Sequence, residues 1–253
     1  MKKIISILLI TIMVAAMFVG CKGNENSLEA IKKNGKITML TNATFAPFEF
    51  VENNKVVGVD PELAQMIADE IGVKLEITNM DFDLLVDYVK TGKGDFAAAG
   101  MTITDERKKQ VDFSIEYTTS TQYIIVKKGT DVKSFSPNGK VIGVQQGTTG
   151  DLFYASDKKV IQAKEVKRYK SSIDAAKDIL LGRVDCVIVD ELPAKKIVEQ
   201  NKDTLECFNP GYEPESYAFA VKKENKELLD VINKVLQKQV ESGKVKELVL
   251  KHS

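Results

Sequence analysis

Histidine is nearly absent from this chain of 253 residues, which has only His252, close to the C-terminus. We therefore expect no internal Ser-His-Asp triad, no Cys-His pair and no multi-histidine metal site. The phosphate-binding patterns Gly-x-x-x-x-Gly-Lys and Gly-x-Gly-x-x-Gly are also missing. The functions that need these motifs are therefore excluded, and we expect no metal, no cofactor and no catalytic residue.

Cysteine is scarce too, with Cys21, Cys186 and Cys207 as its three occurrences. Cys186 lies in the apolar run 184–189, which favours a buried thiol that packs as a small hydrophobic group. We interpret Cys207 in the same way. A disulfide between the two stays open, because outside the cytoplasm it could form and the sequence does not place their Cα atoms.

An excess of positive charge is lacking as well, since 36 Lys and Arg face 36 Asp and Glu. Without Lys2 and Lys3, 34 basic and 36 acidic side chains remain. A chain with this balance has no electrostatic footprint for nucleic acid.

The N-terminus has the layout of a secretory signal. Lys2 and Lys3 precede an apolar run at 4–19, and Gly20 and Cys21 close it. The run is shorter than the roughly 20 residues of a stable membrane span, so an uncut membrane helix is the weaker alternative. We predict a signal peptide at 1–20, and no later stretch is apolar enough to span a membrane.

Two alternating series of strands and helices follow, which predicts an α/β fold. Periodicity alone allows either two lobes or one large sheet. The predicted strands are 36–41, 73–78, 95–99, 123–126, 140–144, 165–169, 184–189 and 217–221. One predicted helix begins at Asp60. The others span 82–90, 149–156, 171–181, 192–200 and 228–240, and a short final helix spans 245–251.

Several segments, in this order and spacing, resemble the polar-amino-acid family of bacterial solute-binding proteins (family 3), and the glutamine and basic-amino-acid binders most. The resemblance extends from about Lys36 to the C-terminus. The segments are Asn42-Ala43-Thr44-Phe45-Ala46-Pro47-Phe48-Glu49-Phe50, Val57-Gly58-Val59-Asp60, Ala99-Gly100-Met101-Thr102-Ile103-Thr104-Asp105-Glu106-Arg107, Val111-Asp112-Phe113-Ser114, Gly147-Thr148-Thr149-Gly150 and Val187-Ile188-Val189-Asp190.

The segment Phe18-Val19-Gly20-Cys21 resembles a lipoprotein lipobox, although Phe18 departs from the usual aliphatic first residue. The resemblance implies a lipid on Cys21 and a polar tether at 21–27. It also implies an exported protein, held at the outer face of the cytoplasmic membrane or in the periplasm.

The family fold has two α/β lobes, each a mostly parallel sheet flanked by helices, joined by two crossover strands. By resemblance, lobe one is 28–117 plus 218–253, and lobe two is 118–217. The crossovers are expected near 117–121 and 213–217, where Pro214 would stiffen the second.

The resemblance also implies a site for the ligand's carboxylate. Arg107 would bind it with a guanidinium fork, assisted by Thr102. Thr148, Thr149 and Gly150 would add free N–H groups at a helix start in lobe two. The alternatives are a solvated helix face for Arg107 and plain N-capping by Thr148.

The ligand's ammonium would pair with Asp190 and with the carbonyl of Gly100. Glycine lets a ligand approach the backbone closely. The alternatives are a helix cap for Asp190 and a tight turn at Gly100.

Four further residues would surround the ligand's side chain. Phe45 and Phe82 match positions that sandwich it in the family, with ordinary core packing as the alternative. Asn42 and Gln145 form a neutral pair, whereas relatives that bind basic side chains usually have an acid at the position of Asn42. This favours a glutamine-like neutral ligand over lysine, arginine or histidine, unless an unseen acid, which could be Glu49, Glu116 or Asp151, lines the pocket.

The implied function is capture of a free polar amino acid for an ABC transporter permease, by a monomer whose lobes close on the ligand. One rival is a cyclohexadienyl-dehydratase-like enzyme on the same fold, and the retained Asp190 and Gly100 argue against it. Another rival is a receptor that presents its ligand to a membrane sensor.

Overall fold

The computed structural model describes residues 27–253. The expected signal peptide at 1–20 and lipid site at Cys21 lie outside these residues, so both stay predictions. Within the described part of the chain, none of the helices combines the length and apolar character needed to cross a membrane.

Eight helices and fifteen strands are described in this range. In chain order they are α1 (Leu28–Asn34), β1 (Lys36–Thr41), β2 (Thr44–Phe45), β3 (Glu49–Glu52), β4 (Lys55–Val57), α2 (Val59–Ile71), β5 (Lys74–Asn79), α3 (Leu85–Lys90), β6 (Phe96–Ala97), α4 (Asp105–Lys108), β7 (Val111–Phe113), β8 (Thr118–Ser120), β9 (Gln122–Lys127), β10 (Val141–Gln145), β11 (Glu165–Tyr169), α5 (Ser172–Leu180), β12 (Cys186–Asp190), α6 (Glu191–Gln200), β13 (Leu205–Phe208), β14 (Glu215–Tyr217), β15 (Ala220–Lys222), α7 (Lys226–Glu241) and α8 (Lys244–His252). A 3₁₀ turn at Phe82–Leu84 precedes α3, and a π-helical turn spans Gly150–Ala155.

The first lobe is built on a five-stranded sheet with strand order β5-β1-β6-β15-β7. β1 pairs in parallel with β5 and β6, and β15 runs antiparallel to β6 and β7. Because β15 comes from the end of the chain, the C-terminal segment completes this sheet. A smaller antiparallel sheet of β2, β3 and β4 precedes α2.

The second lobe has a five-stranded sheet with strand order β11-β10-β12-β9-β13. β10 pairs in parallel with β11 and β12, and β9 runs antiparallel to β12 and β13. All five residues of β12 are buried, as expected for a central strand covered on both faces. Ser171 caps α5 by accepting a hydrogen bond from the N–H of Asp174.

Two short strands connect the lobes. β8 and β14 pair antiparallel, with Thr118 opposite Tyr217 and Ser120 opposite Glu215. They lie in the segments where crossovers were expected. The division into 28–117 plus 218–253 and 118–217 stays a prediction in its exact limits.

The long C-terminal helix packs on α2 with an apolar stripe. Leu228, Ile232, Val235 and Leu236 in α7 are buried, at spacings of three and four residues that place them on one helix face. This packing ties the end of the chain to the first lobe.

Three elements differ from their predicted form. The strand predicted at 217–221 is divided into β14 and β15, and the helix predicted at 149–156 is a single π-helical turn. The helix predicted to begin at Asp60 already begins at Val59, and Gly58 is its N-cap. The carboxylate of Asp60 is instead buried and bonded elsewhere, as described below.

Neither Cys186 nor Cys207 forms a disulfide in the structure. Cys186 is buried in β12, as expected, and burial raises the pKa of its thiol to about 12. Cys207 in β13 is only partly buried.

Candidate functional site

The lobes meet around a cavity with at most about 300 Å³ of space among its lining atoms. A cleft this narrow has no room for a polymer. The residues from the first lobe are Asn42, Phe45, Glu49, Phe82, Ala99, Gly100, Thr102 and Arg107, and those from the second are Gln145, Thr148, Thr149 and Asp190.

Arg107 supplies a positive charge to the cavity wall. It lies in α4, whose first turn is fixed by Thr104, which accepts a hydrogen bond from the backbone N–H of Arg107. The side chain is 8% exposed, so the alternative of a solvated helix face is wrong. Burial lowers the pKa of Arg107 to about 10, and the negative charges of Glu215 and Asp190 counteract this shift. The guanidinium therefore remains protonated at neutral pH.

The guanidinium of Arg107 connects the two lobes. Nη1 donates to the carbonyl of Thr102 at 2.7 Å, and Nη2 donates to the carbonyl of Gly147 in the second lobe at 3.0 Å. The group also lies 5.4 Å from the centre of the Phe82 ring, a distance at which a cation and an aromatic face attract each other.

Asp190 supplies a negative charge to the same cavity. It ends β12 at the start of α6 and is 6% exposed. Asp190 does occupy the N-cap position of α6, but its side chain makes no capping hydrogen bond, and the Tyr217 hydroxyl donates to Oδ1 instead. Burial and the nearby charge of Glu215 raise the pKa of Asp190 to about 7, although hydrogen bonds from Tyr217 and Gln122 lower it.

Gly100 forms a strained turn that only glycine adopts easily. Its φ is +51°, and a Cβ would lie 2.8 Å from Cε1 of Phe45. The N–H of Gly100 donates to Oδ2 of Asp60 at 2.9 Å, while the hydroxyl of Tyr117 donates to Oδ1 at 2.7 Å. These two bonds explain why Asp60 is buried inside α2 rather than capping it.

The side chains of Asn42 and Gln145 join across the cleft. Nε2 of Gln145 donates to Oδ1 of Asn42 at 2.9 Å and to the carbonyl of Lys170 at 3.2 Å. Oδ1 of Asn42 also accepts from the Thr44 hydroxyl at 2.7 Å, and its Nδ2 donates to the carbonyl of Met80 at 2.7 Å. Both acceptor positions of Asn42 are therefore occupied.

Two aromatic rings complete the wall. Phe45 is 7% exposed and lies 6.1 Å from the Phe48 ring, measured between centroids. Phe82 is only partly buried and begins the 3₁₀ turn before α3. Both rings border the cavity as well as the core, so the cavity position and the packing alternative hold together.

The loop after β10 differs in part from the prediction. Thr148 and Thr149 line the cavity, but Gly150 does not. Gly150 is packed against the second lobe, where a Cβ would lie 3.0 Å from Oε1 of Gln122. The Thr148 hydroxyl accepts a 3.3 Å hydrogen bond from the N–H of Asp151, so it does act as a local cap.

Two residues of the site, Ala99 and Glu215, were not predicted, and a third, Glu49, was left open as an acid that could line the pocket. Ala99 contributes to the wall next to Gly100. Glu49 lines the cavity while being only 1% exposed, and its Oε2 has no hydrogen-bond partner among residues 27–253. Burial, together with the charge of Asp60, raises the pKa of Glu49 well above its usual range. Glu215, on β14, reaches the cavity threonines from the crossover.

A cleft between two α/β lobes, with a buried cation and a buried anion at one small cavity, defines the two-lobed class of solute-binding proteins. The chain belongs to the bacterial extracellular solute-binding proteins, family 3, whose model matches residues 37–253.

Relatives and solved structures agree with this family. Arginine-binding extracellular protein ArtP of Bacillus subtilis (strain 168) is 32% identical over 244 residues, covering 96% of this chain and 94% of that protein. The P235GK mutant of ArgBP from T. maritima has a TM-score of 0.82 and 39% identity, covering 88% of this chain and 97% of that one. An ancestral arginine-binding protein bound to glutamine has a TM-score of 0.78 and 40% identity, covering 86% and 97%. The predicted family and two-lobed fold are thus confirmed.

Proposed function

We propose that this protein captures one free polar L-amino acid between its lobes and presents it to the permease of an ABC transporter. It does so as an exported monomer, tethered to the membrane through a lipid on Cys21. The observation that carries the proposal is that Arg107 and Asp190, both less than a tenth exposed, line the same small cavity. A zwitterion with opposite charges at its two ends is the natural partner for such a pair, because burying either charge alone is costly.

The ligand's carboxylate binds at Arg107. A guanidinium can hold two carboxylate oxygens at once, and each charge-assisted hydrogen bond contributes about 1.5–3 kcal/mol. The backbone N–H groups of Thr102 and Thr149 supply further donors from the two lobes. In this way the ligand contacts both lobes and favours closure as far as it binds the closed form better.

The ligand's ammonium binds at Asp190, with the carbonyl of Gly100 as a second acceptor. Asp190 is held in place by Tyr217, so its carboxylate does not need to be ordered during binding. The left-handed turn at Gly100 exposes the backbone to the cavity, which a side chain would block.

The end of the site that receives the ligand's side chain offers mainly acceptors. Gln145 uses its amide nitrogen for Asn42 and Lys170, and its carbonyl oxygen makes no hydrogen bond among the described residues. Oε2 of Glu49 is also unpartnered there. A side chain that ends in N–H donors matches these oxygens.

Arginine fits this acceptor-rich end best. Its guanidinium carries five donors, and its charge would draw Glu49 into the ionised form. The names of ArtP and ArgBP, which describe arginine binding, support the same choice. Glutamine, with two amide donors and no charge, is the alternative that the neutral pair Asn42 and Gln145 favours.

Isothermal titration of the mature protein with a panel of free amino acids tests the proposal. We expect arginine to bind most tightly, with glutamine next, and Arg107→Ala to weaken binding at least a hundredfold. Arg183→Ala is the matched control, because the side chain of Arg183 is exposed, lies outside the cavity wall and pairs with Asp178. The absence of binding to any amino acid, or undiminished binding by Arg107→Ala, would refute the proposal.

Two further measurements separate the rival functions. A turnover assay on cyclic carboxylic acids would reveal a dehydratase, because a binding protein releases its ligand unchanged. Neighbouring genes for a permease and an ATPase would support transport over presentation to a membrane sensor.

A further inference from the structure

Glu215 lies on β14, one of the two strands that connect the lobes. Its Oε2 accepts a 2.8 Å hydrogen bond from the hydroxyl of Thr102 and a 2.7 Å hydrogen bond from the hydroxyl of Thr149. Thr102 belongs to the first lobe and Thr149 to the second, and both line the cavity. A single carboxylate oxygen thus joins the two lobes directly beside the candidate ligand site.

The hydrogen-bond capacity of the two hydroxyls restricts what they can offer to a ligand. A threonine hydroxyl has one proton to donate, and in both residues that proton is directed to Glu215. The hydroxyl of Thr149 also accepts a 3.3 Å hydrogen bond from Nε2 of Gln122, which fixes its orientation further. A ligand carboxylate must therefore be bound by backbone N–H groups rather than by these hydroxyls.

We propose that Glu215 is a positioning residue for amino-acid binding, which locks Thr102 and Thr149 in the orientation that directs their backbone N–H groups at the ligand's carboxylate. This inference rests on the proposed function of the site. Because Glu215 is attached to the crossover, its two hydrogen bonds also fix how the loops of the two lobes approach each other on closure.

The opposite role would be that of a competitor. A carboxylate held by Thr102 and Thr149 could occupy the place of the ligand's own carboxylate, and its removal would then strengthen binding. The geometry favours positioning, because Arg107 makes no ion pair with Glu215 within 4 Å among the described residues. Each terminal nitrogen of Arg107 has a second N–H besides the one that it donates to the carbonyl of Thr102 or Gly147, and these remain for another anion.

The test compares Glu215→Ala with Glu215→Gln. The amide oxygen of glutamine can still accept both hydroxyl protons, whereas alanine accepts neither. We expect Glu215→Ala to weaken binding of arginine or glutamine about tenfold to a hundredfold, mainly through faster release in stopped-flow measurements. Glu215→Gln should bind within about threefold of the wild type, a rescue that a competing charge would not produce.

Glu213→Ala is the matched control, since Glu213 lies two residues away on the same segment and is exposed. A cycle with Thr149→Val adds a second readout. If Glu215 acts through Thr149, the double variant should lose less than the sum of the two single losses. Thermal melts in parallel verify that each variant is folded.

The possible results distinguish the two proposals. A wild-type protein that binds no amino acid removes the proposed function. If the wild type binds and Glu215→Ala binds equally well or better, only the proposed role of Glu215 is refuted. The same holds if Glu215→Gln is as impaired as Glu215→Ala.

Discussion

Acidification is the perturbation that tests the ammonium site most directly. In the free protein the pKa of Asp190 is raised to about 7, by burial first and by the charge of Glu215 second. The ligand's ammonium needs the ionised carboxylate as its partner. Asp190 must therefore release its proton on binding, and affinity should fall as the pH falls through 7.

The magnitude follows from the ionised fraction of Asp190. With a pKa of about 7, half of the molecules are ionised at pH 7 and about 1% at pH 5. If the bound ligand keeps Asp190 ionised throughout this range, the apparent affinity drops about fiftyfold between the two values. This loss corresponds to about 2.3 kcal/mol of binding free energy.

Titration calorimetry with glutamine at pH 5, 6 and 7, in buffers of different ionisation enthalpy, measures both the affinity and the number of protons released. Glutamine is used because its neutral side chain does not itself draw Glu49 into ionisation. Asp190→Asn is the control, and it should bind weakly at every pH without the slope. Equal wild-type affinity at pH 5 and pH 7 would refute the reasoning.

Folding stability should respond to Asp190 with the opposite sign. When folding raises the pKa of a carboxyl group, the protonated group stabilises the folded protein. This stabilisation is lost as the pH rises through the pKa of the folded state. Compared with Asp190→Asn, the wild type should become less stable as the pH rises from about 4 to about 7. If acidification lowers the affinity without lowering this relative stability, the loss of binding is due to protonation of Asp190 and not to acid unfolding.

Three substitutions test the rest of the site. Glu49→Gln should weaken arginine binding more than tenfold and leave glutamine almost unaffected, because only the cationic ligand needs the ionised acid; equal effects in titrations of both ligands would contradict this. Asn42→Asp should shift preference in the same panel toward cationic side chains, and no shift would exclude Asn42 as a reader of the side chain. Gly100→Ala should cost about 1–2 kcal/mol of stability through its positive φ, visible in a thermal melt, and should weaken binding through contact with Phe45; a variant with unchanged melting and affinity would contradict both.

Local sequence patterns predicted most of the framework. β1 and β11 have the predicted limits, and α5 begins and ends within one residue of its predicted limits. The small sheet of β2, β3 and β4 was missed, since strands of two to four residues are too short for a periodic signal.

The motif order predicted which residues would meet at the cavity, but not how each is used. Asp60 is a residue type that often caps a helix, and it lies at the predicted helix start. Its carboxylate instead accepts hydrogen bonds from the N–H of Gly100 and the hydroxyl of Tyr117. These partners are 40 and 57 residues away along the chain, so no local pattern contains them. Glu215 was missed for the same reason, because its partners belong to two different lobes.

The position of β15 between β6 and β7 has a consequence for the order in which the chain folds. β7 pairs with no other strand among the described residues, so the first sheet has a missing member until residue 222 is available. The second lobe is contiguous, since all five strands of its sheet lie between residues 122 and 208. When the chain is synthesised from its N-terminus, the second lobe can therefore fold first. The first lobe cannot complete its sheet until about the last forty residues of the chain are available.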